Sequence, residues 1–176
     1  MTFDKLRQGW PLFLMISLLF TGCQEPVDPQ ILVERGKYLL QKEPDGALGV
    51  LEVREKLAET DQPIVLMGLV GAGSDSTWEP GKAKFVIRDR SALIEKHADT
   101  PGHDPNTCPF CKAKKEKMPD MTALIQVVDS DGQIVDVDAR KLLALKEEQF
   151  VVIRGVAEVN TLGHLVVSAD GVYVRQ

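Results

Sequence analysis

The residues best equipped for chemistry fall in one fifteen-residue window: His97, His103, Cys108 and Cys111, spaced H-x5-H-x4-C-x2-C. Two thiolates three residues apart can converge on one ion. Two imidazoles from the adjoining loop would complete a tetrahedral S2N2 shell, which suits Zn²⁺ or, with softer ligation, Cu(I). Pro101, Gly102 and Pro105 make the loop turn, which helps the histidines fold back over the cysteines. Asp99 and Asp104 stand by as reserve oxygen ligands or as partners for imidazole N–H groups. A single CxxC is a weaker signature than a doubled CxxC or a CxxC with HxxxH. The same cysteines therefore also admit a structural disulfide across Cys108–Cys111, a redox pair, or inert thiols. Haem attachment is excluded, because Lys112 stands where a histidine would have to follow the motif.

The redox alternative has a family resemblance behind it. Thr107-Cys-Pro-Phe-Cys-Lys-Ala-Lys114 is similar to the active-site segment of glutaredoxins, with their Cys-Pro-aromatic-Cys motif. That resemblance implies a thiol–disulfide oxidoreductase with Cys108 as the attacking sulfur, and Lys112, Lys114 and Lys115 would stabilise a thiolate. The surroundings depart from the family. Pro119 leaves room for only a short helix after Cys111, the following chain is β-rich, and no later cis-proline segment is present.

Other chemical groups read as structural. His164 follows Gly163 in a turn, Glu147-Glu148 are neighbours on a solvated turn, and Lys112–Lys117 reads as a solvated basic face. Trp78, in the Ser74–Lys82 connection, either covers a barrel mouth or offers a stacking surface. No Ser-His-Asp order, phosphate-binding glycine loop or HExxH motif occurs. Lys and Arg number 21 against 26 Asp and Glu, and the chain has six Phe, two Tyr and two Trp. This balance opposes nucleic-acid binding, which needs basic grooves with stacking aromatics.

The N-terminus determines where such chemistry would operate. Lys5 and Arg7 precede an apolar run, Trp10 to Phe20, that ends in Phe20-Thr-Gly-Cys23. This is the layout of a secretory signal, and as a helix the run would rise about 16 Å, short of the roughly 30 Å needed to span a bilayer. The segment resembles the lipobox of bacterial lipoproteins. That resemblance implies cleavage before Cys23 and lipidation of its thiol. The mature chain would then be exported and held at a bacterial membrane, facing the periplasm or the cell exterior, in surroundings that favour disulfides.

Elements follow from periodicity. Residues 1–22 read as signal, 23–30 as a proline-bearing tether, 31–62 as a helical segment and 63–176 as one domain. In the helical segment, helices are predicted over Ile31–Lys42 and Ala47–Ala58, the second capped by Asp45. Strands are predicted at Ile64–Val70, Ala83–Arg88 and Ala123–Val128, with Ile134–Val137 pairing back on the last of these. Ser91 would cap a short helix running to His97. A helix capped by Asp138 reaches Leu145, and strands at Gln149–Val159 and Leu165–Val174 end the chain. Three strands, a helix and two strands is the element order of the OB-fold, and Gly68 and Gly155 sit inside strands where small barrels coil sharply. Residues 64–176 also resemble uncharacterised exported bacterial proteins with OB-like barrels, notably in Ala83–Asp89, Asp138–Leu145 and Gly155–Val174. That resemblance implies a fold and carries no activity.

The sequence thus predicts a mainly β (α+β) protein: an OB-like five-stranded Greek-key barrel with an N-terminal helical segment. Its expected role is a membrane-anchored binding or scaffold module rather than an enzyme, with a zinc or copper site at His97, His103, Cys108 and Cys111. The alternatives are the oxidoreductase and a structural barrel that docks an unidentified protein partner.

Overall fold

The computed structural model of the protein describes residues 28–57, 63–73, 76–93, 104 and 107–175. Five strands, β1 (Ile64–Val70), β2 (Lys84–Arg88), β3 (Thr122–Val127), β4 (Phe150–Val159) and β5 (Leu165–Val174), close into a barrel in the order β1-β2-β3-β5-β4. Neighbours are antiparallel except β3 and β5, which run parallel from Ala123 beside Leu165 to Val127 beside Ala169. A parallel pair cannot be joined by a tight turn. The chain makes that crossover through α4 (Ala139–Leu143) and β4. The OB-like barrel expected from the element order is the observed architecture.

Alternation places the core. In β2, Phe85 and Ile87 point inward, as Ala83 does just before the strand, while Lys84, Val86 and Arg88 face out. Ile125, Val127, Leu66, Val70, Ile153 and Val167 meet them inside, and α4 plugs one end with Leu142 and Leu143. Full burial of such side chains stabilises by about 1.5–3 kcal/mol each. Barrel closure also needs close backbone approach. A Cβ on Gly155 would stand 2.2 Å from the Ser168 carbonyl oxygen, and the β4–β5 register shifts between Arg154 and Gly155. Glycine at this bulge lets the long hairpin bend round the barrel.

The N-terminal segment belongs to the same core. Helices α1 (Pro29–Tyr38) and α2 (Val50–Lys56) contribute Tyr38, Val50 and Val53, and the strap between them bridges Leu39 to Val172 and Leu48 to Leu66. Two predicted boundaries change. The first helix starts earlier and ends at Tyr38, because Leu39 turns extended to pair with the barrel rim. The second begins at Val50 with Gly49 as N-cap, so Asp45 does not cap it.

Three further expectations need correction. Ile134–Val137 forms only a single bridge, Val128 to Ile134, and not a strand. The α4 helix keeps Asp138 as its cap, accepting the Arg140 N–H at 3.0 Å, but it stops at Leu143 because Ala144 adopts a left-handed φ of 56°. The turn after β2 is a 3-10 helix, η1 (Arg90–Leu93), and its capping carboxylate is that of Asp89 rather than the Ser91 hydroxyl. No helix among the described residues is long and apolar enough to cross a membrane.

Candidate functional site

The cysteine motif lies on an insertion between β2 and β3 whose base is closed by one hydrogen bond, from the Asp89 N–H to the Met121 carbonyl at 2.7 Å. Closing a long loop at its base anchors its two ends on the barrel. Within it, the Asp104 carbonyl accepts the N–H groups of Thr107 and Cys108, each at 3.1 Å, and the Thr107 hydroxyl at 3.2 Å. This turn delivers the chain into α3 (Pro109–Lys117).

Cys108 occupies the N-cap position of α3. Its carbonyl accepts the Lys112 N–H at 3.1 Å, and Pro109 follows at the first helical position, where a missing N–H costs nothing. Cys111 is the third residue of the helix. Side chains at N-cap and N3 share one side of the first turn, the spacing that capping boxes use. Both cysteines are half-buried. The exposed N–H groups of that turn and the helix dipole favour negative charge there, whether thiolates or anionic ligands. Lys112 and Lys117 lie exposed along the same helix.

The platform under α3 is rigidly tied. The helix runs into a second 3-10 helix, η2 (Met118–Met121), and Pro119 lies in it, ending the α-helix where the sequence expected. Arg54 of α2, largely buried, donates Nη2 to the Pro119 carbonyl at 3.1 Å and Nη1 to the Gly163 carbonyl at 3.0 Å. One guanidinium therefore links α2, η2 and the β4–β5 turn. Asp89 does comparable work at the other end of the insertion. Its carboxylate accepts the Ser91 N–H at 2.8 Å, the Ser91 hydroxyl at 2.6 Å and, across the fold, the Leu51 N–H at 3.3 Å. Burial pushes the Asp89 carboxyl up, but the hydrogen bonds from Ser91, Leu51 and Val50 outweigh it and hold the group below its ordinary value. Asp89 thus caps η1 directly and α2 in trans. Gly49 leaves it room, since a Cβ there would stand 2.7 Å from Asp89 Oδ2.

The predicted ligand set is only half within view. Cys108, Cys111 and Asp104 are placed together at the start of α3, whereas His97, His103, Asp99 and the lipobox Cys23 lie outside the described residues. Among the described residues no group of three His, Cys, Asp or Glu side chains gathers into a metal-sized cluster. Trp78 is packed against the core beside Phe85, ring centroids 6.0 Å apart, with the Arg140 guanidinium 5.8 Å from its ring centroid. With Phe85 and Arg140 both against its ring, it covers packed side chains of the core. His164 is exposed in the β4–β5 turn, its N–H donated to Asn160 Oδ1 at 3.0 Å. Glu147 and Glu148 are exposed on a turn, and Glu148 pairs with Arg88.

Sequence reasoning missed Asp89 and Arg54, because each works on backbone groups far away in the chain. The only local trace of Asp89 is its position directly after a strand and two residues before Ser91. Comparison with protein families and with curated protein sequences returns no match to this chain, so the chemistry of the site rests on its own geometry.

Proposed function

We propose that this chain is a membrane-anchored extracytoplasmic lipoprotein, tethered through Cys23, whose OB-like barrel presents the β2–β3 insertion as a Cys/His metal site. His97, His103, Cys108 and Cys111 would hold one Zn²⁺ or Cu(I) ion. The observation that carries this reading is the placement of Cys108 and Cys111 at N-cap and N3 of α3, where one ion can reach both sulfurs and the helix N-terminus offsets thiolate charge. The insertion is held by Arg54 and Asp89 at its base, which is what a ligand loop on a scaffold requires. Metal and free thiols measured on the same purified chain test it. Near-stoichiometric zinc or copper, lost in both His103→Ala and Cys111→Ala, is expected. A metal-free protein would end the reading.

The same helix start supports a second reading, thiol–disulfide exchange. Cys108 as thiolate would attack a substrate disulfide, forming a mixed disulfide and releasing one substrate thiolate. Cys111 would then displace the second thiolate and leave a Cys108–Cys111 disulfide, to be reduced by an external dithiol. The two readings separate on the histidines. Exchange requires Cys108 and is indifferent to His97 and His103, whereas metal affinity falls when any of the four is removed.

A further inference from the structure

Away from the cysteines, a cavity of about 560 Å³ opens on the outer face of the barrel, lined by Met67, Arg90, Glu148, Gln149, Phe150 and Arg175. A second groove of about 430 Å³ shares Gln149 and Arg175 with it and continues over Leu39, Leu40, Leu143 and Tyr173. The polar groups of the first cavity are strongly biased toward donors. Among the described residues Arg90 has no side-chain partner, and its guanidinium offers only N–H groups. Gln149 uses its Oε1 to accept the Lys146 N–H at 2.8 Å, which fixes the amide's orientation and leaves its NH2 donors available. Arg175 gives Nε to Glu43 at 3.0 Å, pairs Nη2 with the same carboxylate, and sets Nη1 against Met67 Sδ, so further N–H groups remain.

The acceptors in the cavity are few. Glu148, at a left-handed φ of 63°, pairs one carboxylate oxygen with Arg88, which offsets its charge. Glu43 is likewise held by Arg175. Met67 and Phe150 supply the remaining walls, and the adjoining groove adds leucine side chains and the Tyr173 ring. An occupant that satisfies this lining must bring acceptors and negative charge at one end and apolar surface at the other.

We propose that this cavity binds a small organic carboxylate with an apolar body, its carboxylate on Arg90 and Gln149 and its body against Met67 and Phe150. Arg90 stands in η1 at the foot of the cysteine insertion, the rest of the lining comes from outside it, and neither described cysteine lines the cavity. Arg90 is the discriminating residue, because it is exposed and its side chain makes no hydrogen bond or ion pair among the described residues.

The test is calorimetric titration of the full chain, held in nanodiscs of zwitterionic lipid, with 3-phenylpropionate, 3-phenylpropanol and sulfate. The proposal expects saturable one-to-one binding of 3-phenylpropionate, weakened at least about tenfold by Arg90→Ala with an unchanged melting temperature, and no saturable binding of the alcohol. Arg90→Lys should recover part of the loss, since a point charge replaces the fork without its bidentate geometry. Absence of saturation up to about 10 mM acid overturns the proposal, as does undiminished affinity in Arg90→Ala. Equal binding of the alcohol overturns the role of charge, and equal binding of sulfate overturns the role of the apolar walls.

Discussion

Single residues carry more of this structure than their exposure to sequence reading suggests, and Asp89 is the clearest case. It is 7 % exposed, and its carboxylate serves the starts of two helices, η1 and α2. Asp89→Asn keeps the shape but weakens charge-assisted bonds, and should lower stability at neutral pH by about 1–3 kcal/mol. The pH dependence follows from linkage. Because the folded carboxyl sits below its ordinary value, its stabilisation is complete above the ordinary carboxylate range and disappears as pH falls through the folded value. Urea midpoints measured from neutral to strongly acid pH should therefore fall more steeply for the native chain than for Asp89→Asn. Parallel acid limbs would show that Asp89 does not provide this coupling.

Among elements, the arginine clamps decide how the helices sit on the barrel. Arg35 of α1 donates to the Leu142 and Lys141 carbonyls at 2.9 and 2.8 Å, covering the C-terminal end of α4, where carbonyls lack helical partners. Arg54 ties α2 to η2 and to the β4–β5 turn. Lysine cannot span two carbonyls in this way. Arg54→Lys is expected to cost about 1–2 kcal/mol and to speed amide exchange in η2 and α3 ahead of the barrel strands, as read by hydrogen-exchange mass spectrometry. Exchange that stays uniform across the fold would mean that the insertion is held by packing alone. The outcome also bears on the cysteines, since a looser η2 loosens the helix that positions Cys108 and Cys111.

For the whole molecule, the helical lead and the barrel share one core. Tyr38, Val50 and Val53 lie in the common core, and their burial contributes about 1.5–3 kcal/mol each for the aliphatic pair. That is a large part of an ordinary domain stability of about 5–15 kcal/mol. A fragment comprising residues 63–176 should therefore unfold without a sharp transition, whereas residues 28–176 should melt cooperatively. Circular dichroism with temperature distinguishes the two. A fragment that melts as sharply as the longer chain would show that the lead is an accessory.

The alternation of Ala83, Phe85 and Ile87 against Lys84, Val86 and Arg88 by itself determined β2 and its inward face, because strand geometry enforces a period of two. Asp138 before a short amphipathic run likewise announced α4, and the order of strands and helix announced the barrel, since few folds accommodate it. Pro119 announced the end of a short helix near Cys111, because a breaker acts within one turn, whereas the start of that helix at Pro109, with Cys111 inside it, came from the structure. What only the tertiary structure decided lies across the chain. Asp89 replaced Asp45 as the carboxylate at α2, Leu39 left the helix to pair with Val172, and Arg90, Gln149 and Arg175 met around one cavity. Local periodicity holds no information about such contacts, because their partners are separated by tens of residues and meet only when the barrel closes.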